Sequence, residues 1–135
     1  MMEHYEKLDY EKLDEVLSQI EPHLISLAKE KRLTRPSITR WRWDEPDLML
    51  SWEEGDLSKN IHMLIVESSR VKVECNAWKN RDLEEGKKRV RKWDHKEIGE
   101  ANASDINEIK EFFKKAYEAA IEWKEEENLT REEPI

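Results

Sequence analysis

The apolar residues of this chain keep two different periods, and the switch between them limits the fold to one class. From Leu13 they fall at Leu13, Val16, Leu17, Ile20, Leu24, Leu27 and Ala28, the three-and-four spacing of one helical stripe. The same spacing returns at Ile106, Ile109, Phe112, Phe113, Ala116, Ala120 and Trp123. Between Ser37 and His95 the period is two, and tryptophan and β-branched residues gather there. A helix at each end with strands between them predicts an α+β two-layer sandwich. Its sheet is a five-stranded antiparallel meander, packed on one face by an N-terminal and a C-terminal helix.

Local chemistry sets the boundaries. Asp9 is the expected cap of the first helix, and Pro22, which lacks an amide to donate, predicts one kinked helix or two short ones ending near Leu33. The strands fall at 37–43, 48–53, 61–68, 71–79 and 88–94. They are joined by Asp44 to Asp47, the Gly55 loop, Ser68-Ser69-Arg70 and the Gly86 loop. The last helix follows Gly99, capped by Ser104 or Asp105 with Glu108 three residues beyond Asp105. Residues 1–127 read as one domain, and 128–135, which carry no period, as a frayed acidic tail.

Alternation along strands assigns the two sheet faces. A four-residue first link pairs Trp43 with Leu48, Trp41 with Leu50 and Thr39 with Trp52; Leu50 then meets Met63 and Leu48 meets Ile65. A three-residue link at Ser68 adds Val73, Cys75 and Ala77, and Val90 completes the floor for the helices. The opposite face carries Arg40, Arg42, Met49, Ser51, His62, Leu64, Val66, Lys72, Glu74, Asn76, Trp78, Arg89, Arg91 and Trp93. On it Leu64 and Val66 are central and Trp78 lies beside Arg89. A two-residue turn at Ser68-Ser69 would instead bring Leu64 and Val66 to the side of Val73 and Cys75.

Charge is unevenly placed. The net value is −8, but residues 1–30 hold three lysines against eight acids, residues 31–96 sixteen basic residues against twelve acids, and residues 97–135 five against twelve. The basic middle and acidic ends argue about partners more than the total does. The longest apolar run, Met63 to Val66, is far short of the roughly twenty residues a spanning helix needs, so no membrane role and a cytoplasmic location are expected. A single Cys75 cannot form an internal disulfide and reads as a small core residue.

Chemistry-bearing patterns are sparse. His4, His23, His62 and His95 have no metal-ligand spacing, and no metal or cofactor is expected. His62 reads as a hydrogen-bonded sheet residue with Glu74 and Asn76 as possible neighbours. Gly55, Gly86 and Gly99 are isolated and cannot cradle a phosphate. Of six tryptophans, Trp41, Trp43, Trp52 and Trp123 fall on core stripes, whereas Trp78 and Trp93 do not. Surface tryptophan beside arginine is the composition of a binding hot spot.

These features predict a non-enzymatic protein-interaction domain of the adaptor, chaperone-like or immunity type. It would use the acidic helices or an open sheet face bearing Trp78, Arg89, Arg91, Trp93, Arg40, Arg42, His62 and Asn76. Self-association as a homodimer through the same face competes with a separate protein partner. The alternative is a small-molecule pocket between sheet and helices, lined by tryptophans with His62 or an arginine at its mouth. Nucleic-acid binding through Arg40, Arg42, Arg89 and Arg91 ranks third, because a chain of net charge −8 repels a polyanion at long range.

Overall fold

The computed structural model describes residues 10–42, 45–67, 69–82 and 89–135. Helix α1 (Tyr10–Glu30) leads into β1 (Thr34–Arg42), β2 (Glu45–Glu54), β3 (Leu57–Glu67), β4 (Arg70–Asp82) and β5 (Arg89–Asn102). Helix α2 (Ile106–Ala120), a 3-10 turn (Glu126–Asn128) and β6 (Arg131–Pro134) complete the chain. The strands form one antiparallel sheet in chain order, six strands where five were expected, and both helices pack on one side of it. The α+β meander legible in the sequence is the fold.

The helices bury the predicted stripes. All seven stripe residues of α1 are buried, as are Ile109, Phe113, Ala116, Ala120 and Trp123 of the second stripe. They cover Leu48, Leu50 and Trp52 of β2, Ile61, Met63 and Ile65 of β3, and Val71, Val73, Cys75 and Ala77 of β4. Helix α1 runs through Pro22 as a single element, with that residue on its exposed side. It ends where Arg32 takes φ 52°, the Leu33 amide donating to Ala28 and the Arg32 amide to Lys29, the paired bonds of a left-handed helix stop. Asp105 caps α2 by accepting from the Glu108 amide. The Asp9 cap, Trp43, Asp44 and the Gly86 loop lie outside the described residues, as do the side chains of Trp41 and Arg42.

Register is where the sequence reading needs correcting. Pro46 and Asp47 belong to β2 rather than to a turn, and Ile38 opposes Leu50 while Thr39 opposes Met49. Thr39, expected on the floor, is therefore exposed on the other face. Between β2 and β3, Gly55 at φ 60° and Asp56 form a tight two-residue link closed by Glu54 opposite Leu57. Leu50 consequently meets Ile61 and Leu48 meets Met63, a slide of two residues that leaves every side chain on its predicted face.

The β3–β4 hairpin shows both candidate readings at once. Its closing pair, Glu67 opposite Arg70, is that of a two-residue link, but an extra residue between Ile65 and Glu67 restores the phase of the longer one. Leu64 thus stays opposite Lys72 on the open face. In the β4–β5 pair Trp78 opposes Trp93, and Arg89 opposes Asp82 four positions away, so the expected Trp78 and Arg89 pair does not form. Val90 is half-buried between Arg81 and Pro134 rather than part of the floor.

Strand β5 runs on to Asn102, eight residues past its expected end. Gly99 is inside it, where a Cβ would stand 2.6 Å from the ring of Phe112, so glycine is what lets α2 approach. Residues 128–135 are not a frayed tail: Leu129 is buried, and Arg131–Pro134 pairs with Val90 to Trp93 as β6. All four β6 residues are exposed, so no apolar alternation marks the strand. No helix among the described residues is long and apolar enough to cross a membrane.

Candidate binding face

The face of the sheet turned away from the helices is built from alternate residues of β2 to β5, and the register lines them up in rows. One row runs Met49, His62, Glu74, Glu97; the next runs Ser51, Asn60, Asn76, His95; a third places Ser58, Trp78, Trp93 and Arg131 side by side. Leu64 stands between Asp47 and Lys72, near the β3–β4 turn rather than at the centre. The centre is polar.

His62 organises that centre. Its Nδ1 lies 3.1 and 3.2 Å from the two oxygens of Asp47, and its Nε2 lies 3.3 Å from Glu74 Oε1. Burial alone would push the imidazole down. The hydrogen bonds and charges of Asp47 and Glu74 outweigh it and raise the pKa to about 9. At neutral pH His62 is an imidazolium donating from both nitrogens. Burial would likewise raise Glu74, but its bond to His62 and the nearby charges of His62, His95 and Lys72 hold it below the ordinary carboxylate range.

The network continues along β4 and β5. Asn76 Nδ2 donates to Asn60 Oδ1 at 2.8 Å, and Asn76 Oδ1 accepts from His95 Nδ1 at 2.8 Å. That bond turns His95 Nε2 toward Glu74 Oε2, 3.5 Å away. Ligand atoms of Glu74, His95 and Glu97 lie within 4.8 Å of one another, a spacing that could hold a divalent cation. Lys72 already brings positive charge there, its Nζ 3.0 Å from Glu97 and 3.9 Å from Glu74.

Above this floor a cavity of about 480 Å³ opens on the same face. Its walls include Asn60, His62, Glu74, Asn76, Trp78, Arg91, Trp93 and, from β6, Glu133. The guanidinium of Arg131 stacks 4.8 Å from the centre of the Trp93 ring. Arg91 donates from Nε to Asn80. A second hollow of about 350 Å³ lies between the helices, beside His23 and Tyr117, where His23 Nε2 is buried without a partner.

Five of the eight site residues read from the sequence, His62, Asn76, Trp78, Arg91 and Trp93, come together around the cavity. Arg89 stands further along β5, opposite Asp82, and Arg42 has no described side chain. Arg40 is on the wrong face. Because Thr39 opposes Met49, its neighbour turns to α1, where Nε meets Glu21 at 2.6 Å and Nη1 meets Asp14 at 2.9 Å. Arg40 and Arg91 are thus separated by the thickness of the sheet and by four strand spacings, about 19 Å. Arg40 does not converge with Arg89 and Arg91 into the expected basic patch.

Asp47, Asn60, His95 and Glu133 are the members that sequence reasoning does not place on this face, whereas Glu74 is read there as a neighbour of His62. Asp47 was assigned to a turn, His95 beyond the end of a strand and Glu133 to a tail, so only the register reveals them. Cys75 lies on the helix-covered side, where burial pushes its thiol up to about 12. No known protein family, characterised protein or solved structure matches the chain.

Proposed function

We propose that the chain is a non-enzymatic binding module and that the open face of the sheet is its binding face. The observation that carries this is the cavity of about 480 Å³ beside Trp78 and Trp93, on the side of the sheet that neither helix covers. Ligand sites commonly enclose about 300–1,000 Å³ and combine aromatic walls with a few placed polar groups. The groups beneath support recognition rather than bond making. His62 has both nitrogens engaged by carboxylates and is protonated at neutral pH, which leaves no lone pair for a general base. The Cys75 thiol faces the opposite side with its pKa raised to about 12, too high for a ready nucleophile.

A protein partner that inserts a group into this cavity is a second reading, favoured by the stacking of Arg131 on Trp93 at the rim. The test compares wild type with Trp78→Ala and Trp93→Ala, each used as bait in native extract and analysed by native mass spectrometry. A bound species present with wild type and lost from both variants, with unchanged far-UV circular dichroism, is the expected result. The same species retained by both variants would move the binding face elsewhere.

A further inference from the structure

We propose that the cavity recognises a neutral saccharide ring, an inference that rests on the open face being the binding face. The charges around the cavity select against the other classes of ligand. Glu74, Asp94 and Glu133 line it against one guanidinium, Arg91, while the His62 cation is already held by Asp47 and Glu74, so an anion meets more carboxylate than unpaired positive charge. A cation meets Arg91 in the wall and Arg131 already seated on the Trp93 ring. A wholly apolar molecule would strip water from Arg91 and Glu133 and return no hydrogen bonds.

What remains is a neutral molecule with an apolar face and many hydroxyls. Trp78, the cross-strand partner of Trp93 on the open face, carries no stacked cation among the described residues, and the axial C–H bonds of a pyranose rest on the negative face of an indole. Around them the unused hydrogen-bonding capacity is of both kinds. Among the described residues the terminal nitrogens of Arg91 and the amide nitrogen of Asn60 make no hydrogen bond, and the Glu133 carboxylate makes none either. Arg91 and Glu133 stand opposite each other across β5 and β6, a donor and an acceptor whose charges offset. A ring hydroxyl donates and accepts, so it can use both, whereas the oxygens of Glu74 and Asp94 are already occupied.

The experiment is a glycan array probed with the full-length protein, followed by tryptophan-emission titration with whichever glycan is retained. The expected result is a saturable change in emission, weakened about tenfold or more by Trp78→Ala and by the rim variant Arg91→Met, which keeps the test open if the tryptophan variant fails to fold. Affinity should differ by less than about twofold between 50 and 500 mM salt, because a neutral ligand leaves nothing for ions to screen. A silent array, or a steep loss of affinity with salt, overturns the saccharide. Amino acids, nucleoside monophosphates and short peptides run in parallel separate the two claims. If one of them binds and is lost in Trp78→Ala, the ligand class is wrong and the binding face stands; if nothing of any class binds, both fall.

Discussion

The central residues of the sheet's two faces are buried to a similar degree for opposite reasons. On the helix side Leu48, Leu50, Ile61 and Val73 are sealed by hydrocarbon from α1 and α2. On the open side His62, Asn60 and Asp47 are within a few per cent of the same exposure, yet no helix lies over them. They are closed off by one another, through the bonds that join Asp47, His62, Glu74, His95, Asn76 and Asn60. Burial by hydrocarbon tolerates repacking, whereas burial by a polar network requires every partner to be present. The first face carries the stability of the fold; the second holds a fixed pattern of donors and acceptors.

The sharpest way to break this contrast is to truncate one leucine on each face. Leu50→Ala, fully buried under the helices, should cost about 2–5 kcal/mol. Leu64→Ala, half-buried between Asp47 and Lys72, should cost about 1 kcal/mol or less, because water can refill the space. Urea unfolding of both variants checks it. Equal losses would mean that the open face is covered by packing after all.

The polar network predicts a pH dependence that hydrocarbon cannot give. His62 is raised from an ordinary value near 6.5 to about 9. Below pH 6.5 both folded and unfolded chains carry the proton, and the contribution to stability, about 3 kcal/mol, is fully present. Between 6.5 and 9 the unfolded chain releases the proton while the folded chain keeps it, so stability falls and the contribution is gone above about 9. Glu74, held low, loses its share at the acid end as pH falls through its depressed value. Urea midpoints for wild type should decline from pH 6 to pH 9, and those of His62→Gln should change much less over the same range. A flat wild-type profile would show that His62 is not held as a cation.

Helix stripes were readable because seven apolar positions repeat the same geometric demand, and all seven of α1 are buried. The sheet faces were readable for β3 and β4 because a slide of two residues, as between β2 and β3, does not change which way a side chain points. Arg40 failed because Pro46 and Asp47 pair inside β2 and the pairing with β1 shifts after Thr39. The binding face was legible only as residue types. Trp78 and Trp93 stood out as tryptophans off the core stripes, but His95 and Glu133 become site residues only through the length of β5 and the existence of β6. A four-residue strand with every side chain exposed leaves no pattern to find.

Lys59 is the residue that keeps the comparison from being simply apolar against polar. It stands on the helix side of β3, between Trp52 and Ala77 in the ladder, with no exposed surface, and its ammonium meets Glu54 Oε2 at 2.8 Å. The same carboxylate accepts from the indole of Trp52 at 3.4 Å. If the helix side is governed by hydrocarbon, this charge is a tolerated guest, and a methionine of similar length should replace it at little cost. Lys59→Met is therefore expected to change stability by less than about 1 kcal/mol in either direction. Glu54→Ala, which leaves the ammonium buried without its carboxylate, should lose clearly more than Lys59→Met. Thermal unfolding of the two variants side by side decides it. A large loss from Lys59→Met would mean that a charged pair, as on the open face, is also part of what holds the helix side together.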